Sequence, residues 1–126
     1  MIELAFIADG FNEDDVRPNF INPCCFGEDV AAALREIVAR DAPDLQPGAI
    51  IQEDYGWGFW LTAGRDPYWV AVSLPEHWLL VADFEPGFNL WKRWLERPDP
   101  QAADRVREVL LAAIVNLPGG ALVDHP

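Results

Sequence analysis

Three successive runs between Gly56 and Phe84 place large apolar side chains at every second position. The first carries Trp57, Phe59 and Leu61, the second Tyr68, Val70, Val72 and Leu74, and the third Trp78, Leu80, Ala82 and Phe84. A repeat of two matches a β-strand, whose side chains alternate between faces, and does not match the 3.6-residue repeat of a helix. Short turn-forming stretches, Ala63–Pro67 and Pro75-Glu76, separate the runs. Strands this close in sequence join as hairpins, so the segment predicts an antiparallel meander.

Helical patterns flank the meander. Val30, Leu34, Ile37 and Val38 recur at helical spacing within Glu28–Arg40, and Glu28 and Asp29 bring negative charge to the first turn. Asp41-Ala42-Pro43 closes that helix, because the residue before a proline avoids the helical region. A last helix is capped by Asp99 with Pro100 at its first position. Val106, Leu110 and Ile114 mark its buried face, and Asn116–Gly120 stops it. Ile2–Ala8 and Ala49–Glu53 read as further strands, and Ala121–Val123 as a final edge strand. Gly56–Thr62 is expected to continue the Ala49–Glu53 strand through a bulge at Asp54-Tyr55. Phe88–Leu95 reads as a short helix. The expectation is an α+β fold of order β-α-β-β-β-α, with two main helices packed on one face of the sheet. One domain is expected to span residues 1–126, within the usual size of a single hydrophobic core.

The second face of this sheet is unusual. Gly58, Trp60, Trp69, Ala71, Leu79 and Val81 share it, and Asp83 is nearly its only charge. A sheet wetted on one side normally alternates apolar with polar residues. Something is therefore expected to cover this face: Phe88, Trp91 and Trp94 folding back, a second copy, or a foreign partner. Trp60 and Trp69 would anchor a partner, since tryptophan is enriched among interface hot spots. Asp14, Asp15, Glu53 and Asp54 would supply an acidic rim.

Charge narrows the partner. The formal net charge is −12, from 21 acidic against 9 basic residues. Sequence-independent nucleic-acid binding needs lysines and arginines that displace phosphate counterions, and an anionic membrane repels such a chain. A basic protein is attracted instead. Met1–Ala8 lacks the basic start of a secretory leader, and no apolar run reaches the ~20 residues of a membrane span. A cytoplasmic protein is the expectation. Eight arginines against one lysine fit a GC-rich bacterial source.

Motifs for chemistry are sparse. Glu53 and Asp54 resemble a carboxylate pair, but glycosidic chemistry needs carboxylates on opposite sides of a bond, at least ~5 Å apart. Strand neighbours point to opposite faces, so Asp54 reads better as a turn residue. Asp9–Asp15 fails the calcium-loop template, because Phe11 stands where a ligand is required. Cys24 and Cys25 with His77 and His125 lack zinc-ligand spacing and read as structural thiols and histidines. No catalytic residue, metal or cofactor is expected.

The run Glu53-Asp54-Tyr55-Gly56-Trp57-Gly58-Phe59-Trp60, with Tyr68–Val72 and Phe88–Trp94 after it, resembles a diffuse group of small bacterial proteins. These carry a Glu-Asp-x-Gly-Trp strand opening, and some resemble immunity proteins of toxin systems. The resemblance spans residues 49–120 and implies no catalytic residue. The leading expectation is a non-enzymatic module that binds a basic protein or itself, with an immunity-type role. A small-ligand binder or enzyme with a pocket beside Glu53, Asp54 and Trp57, and a structural homodimer, stay open as alternatives.

Overall fold

The computed structural model describes residues 1–14, 18–20, 26–86 and 97–123. Among these residues lies one six-stranded, fully antiparallel sheet with two α-helices against it. The strands are β1 (Ile2–Ile7), β2 (Ile51–Glu53), β3 (Gly56–Ala63), β4 (Asp66–Ser73), β5 (Trp78–Phe84) and β6 (Ala121–Leu122). The helices are α1 (Glu28–Asp41) and α2 (Pro100–Val115). The spatial order is β2-β3-β4-β5-β1-β6. The meander thus runs from β2 to β5, β1 closes on β5, and β6 lies outside β1.

The alternation in the strands sorts side chains as their period requires. Phe59, Leu61, Val70, Val72 and Leu80 are fully buried, and Trp57, Tyr68 and Trp78 nearly so. They form one core with Leu4 and Phe6 of β1, Val30, Leu34 and Val38 of α1, and Val106, Leu110 and Ile114 of α2. The helices therefore occupy one face of the sheet. An α+β layer of this kind buries one stripe of each helix against one strand face.

Local chemistry ends each helix. Asp99 caps α2 by accepting from the Gln101 amide at 3.2 Å, with Pro100 at the first position. Asn116 terminates it, its side-chain amide donating to the Ala112 carbonyl at 2.7 Å. At α1 the first turn is tied to the preceding loop, because Asp29 accepts from the Asn12 amide at 2.7 Å. Beyond α1, the 3₁₀ turn Pro43–Leu45 buries Leu45.

Asp54 and Tyr55 differ from expectation. They are no bulge within a continuous strand: β2 and β3 pair antiparallel with Glu53 opposite Gly56, so the two residues are a hairpin turn. Neither carries a positive φ. The Asn-Gly or Asp-Gly signature of a left-handed turn is therefore absent where a hairpin nonetheless forms. The β3–β4 connection is also tighter than Ala63–Pro67: it is Gly64-Arg65, with Gly64 at φ 64° in the first turn position. The expected short helix at Phe88–Leu95 falls outside the described residues. No helix among the described residues is long and apolar enough to cross a membrane.

Candidate functional site

The face of the sheet away from the helices is built by registers that run from β2 to β1 across five strands. Trp60 of β3 stands opposite Trp69 of β4, and Trp69 opposite Asp83 of β5. Beside that row lies a second: Ile51, Gly58, Ala71, Val81 and Glu3. Residues directly opposite on one face are neighbours in space, so the two tryptophans must meet. Their ring centroids are 5.3 Å apart at an interplanar angle of 57°.

Trp69 is held in place. A Cβ at Gly58 would sit 2.7 Å from Trp69 Cζ2, so the indole lies over this glycine. Its Nε1–H donates to the Tyr55 hydroxyl at 3.2 Å. The hairpin turn thereby clasps the ring, and Tyr55 itself is 56% exposed. Trp60 is 40% exposed and is not roofed in this way. Ile51 and Ile7 are also exposed. Tyr55 was not among the residues expected to matter. Only the two-residue turn brings it over β4, and that turn lacked its usual sequence signature.

The expected acidic rim divides. Glu53 is exposed on the same sheet face, opposite Gly56. Asp54 occupies the turn beside it. Asp14 lies elsewhere: its amide donates to Asn12 Oδ1 at 3.3 Å, and Asn12 is bonded to Asp29 of α1, so this loop belongs to the helix side. Asp15 falls outside the described residues, as do Phe88, Trp91 and Trp94 as covers of this face, and Cys24, Cys25 and His125. Asp83 and Glu3 take the place of Asp14 on the tryptophan face. All charges that the strands place on this face are acidic: Glu3, Glu53 and Asp83. The described arginines sit on the helices (Arg35, Arg40, Arg105, Arg107), at the Gly64-Arg65 turn, and at Arg97.

Glu53, Asp54 and Trp57 do not face one cleft. Trp57 is buried on the helix side, in contact with Phe20 at 5.2 Å between centroids, whereas Glu53 lies on the opposite face. Clefts formed by the described residues lie elsewhere. One of about 410 Å³ is lined by Asp44, Asp66, Asp99, Arg65 and Arg105, with Arg105 paired to Asp44 at 3.1 Å. Another, of about 160 Å³, lies between the helices near Ile37 and Val109. Among the described residues no group of three or more His, Cys, Asp or Glu side chains is arranged to hold a metal.

Two pKa perturbations have clear causes, and both lie away from the tryptophan face. The exposed Arg40–Asp41 pair holds the Asp41 carboxyl below its ordinary range through their hydrogen bond. Burial, reinforced by Asp66 and Asp99, pushes the Tyr68 phenol up. Comparison of the chain with family models, with curated proteins and with solved structures returned no match.

Proposed function

We propose that this protein is a non-enzymatic binding module whose outer sheet face engages a basic protein, in the manner of an immunity-type inhibitor. The observation that carries this reading is the Trp60–Trp69 pair, exposed at Trp60 and half-buried at Trp69, on a face whose strand-borne charges are all acidic. Exposed aromatics on a rigid sheet supply large contact area at little cost in side-chain entropy. The acids around them steer a positively charged partner and disfavour others.

Self-association is the competing reading, and the same charges oppose it. A two-fold interface sets one patch against its own copy. Glu3, Glu53 and Asp83 would then meet Glu3, Glu53 and Asp83, and the strands place no base on this face among the described residues to pair them.

The test is capture from a lysate of the source cell, followed by reconstitution from purified components. Wild-type protein should retain a basic protein in a defined complex, and Trp60→Glu should not. Equal retention by the variant would place binding elsewhere and contradict the reading.

A further inference from the structure

We propose that the partner anchors on this face through an arginine side chain, its guanidinium laid on the Trp60 and Trp69 rings and paired with Asp83. This rests on the reading above and specifies its chemistry.

Three positions in one cross-strand row make the site. Trp60, Trp69 and Asp83 stand on adjacent strands, so two strand spacings, about 10 Å, separate the first backbone position from the last. The rings are tilted by 57° with centroids 5.3 Å apart, and Trp60 is 40% exposed. The Trp69 ring is fixed by Gly58 beneath it and by its bond to Tyr55, so this half-buried ring is preorganised. Indole faces attract cations, most strongly when the cation is partly desolvated.

Asp83 decides between a cation and an apolar anchor. It is half-buried beside Trp69, and no side-chain hydrogen bond or ion pair joins its carboxylate among the described residues. An apolar side chain docked on the tryptophans would strip water from this carboxylate and leave it unpaired, which is costly. A cation removes that penalty. Arginine suits the row better than lysine. Its planar guanidinium stacks on a ring while its edge donates to a carboxylate, whereas an ammonium is a compact, strongly hydrated charge. Glu3 and Glu53 on the same face add attraction at longer range.

The probe is N-acetyl-arginine amide, titrated into the full chain while the indole N–H resonances of Trp60 and Trp69 are followed by NMR. N-acetyl-lysine amide and N-acetyl-norleucine amide are titrated in parallel. The arginine amide should shift both resonances saturably and more strongly than the other two. Asp83→Asn should weaken its binding about five-fold, the scale of one partly exposed ion pair. That variant is nearly isosteric, and its own spectrum reports whether the fold is kept. Equal shifts from the arginine and norleucine amides, or equal arginine binding by wild type and Asp83→Asn, would overturn the inference. Such a result with partner capture still dependent on Trp60 would leave the binding-module reading standing. Loss of the Trp60 dependence as well would remove both.

Discussion

The Trp69 indole nitrogen donates to the Tyr55 hydroxyl at 3.2 Å, so the turn between β2 and β3 clasps a side chain that belongs to β4. Three strands are thereby locked together on the face that the helices do not cover. That clasp depends on the absence of a side chain at Gly58, whose place the indole occupies.

Gly58→Ala should therefore destabilise the protein and loosen the tryptophan pair. The new methyl would collide with the Val70 carbonyl and with the Trp69 ring, and overpacking of this kind costs about 1–3 kcal/mol. Urea unfolding should show the midpoint fall, and the near-ultraviolet circular dichroism of the tryptophans should weaken. An unchanged midpoint would mean that the ring does not rest on Gly58.

Tyr68 carries a buried hydroxyl with no hydrogen-bond partner among the described residues. Tyr68→Phe removes this unsatisfied group and should stabilise the fold by about 1 kcal/mol. The pH dependence follows from the raised phenol pKa. The folded chain keeps this proton where the unfolded chain has lost it, so the unfolded state binds fewer protons in that range. Stability from this group is fully present below the ordinary tyrosine value of about 10 and is lost as pH rises above it. Chemical denaturation from pH 8 to 11 should show a decline that is shallower in Tyr68→Phe; parallel curves would contradict the assignment.

Asp99 is the capping residue of α2 and should be felt in stability alone. Asp99→Ala removes the acceptor for the Gln101 amide and should cost about 0.5–2 kcal/mol. Thermal unfolding measures this. A loss well beyond that range would mean that Asp99 has a further role beside Asp66, which accepts from its amide at 2.9 Å.

Much of this architecture was legible because the signals are local. The period-two runs from Trp57 to Phe84 assign each residue to a face, and burial follows that assignment from Phe59 to Leu80. Both helix boundaries carry their own markers, Pro43 after α1 and Asp99-Pro100 before α2. The hairpin at Asp54-Tyr55 was not legible, since it forms with negative φ at both turn residues and so needs no glycine or asparagine. Pairing of β1 with β5 and β6 joins residues far apart in sequence, such as Ile2 with Ala82 and Phe6 with Leu122, and no local pattern encodes such a partner. The Trp60–Trp69 pair could be assigned to one face, but its contact depends on hairpin register, which a two-residue loop sets. Asp14 shows the opposite error. Acidity grouped it with Glu53, whereas the Asn12–Asp29 bond holds its loop on the helix side.

The central claim is that the Trp60–Trp69 face is open to a foreign partner and is not a self-interface. Light scattering of the purified chain, alone and as Trp60→Glu, tests it most directly. Both should be folded monomers with a mass near 14.1 kDa. A wild-type dimer that Trp60→Glu dissociates into folded monomers would contradict the account, because the face would then already be occupied by a second copy of the chain.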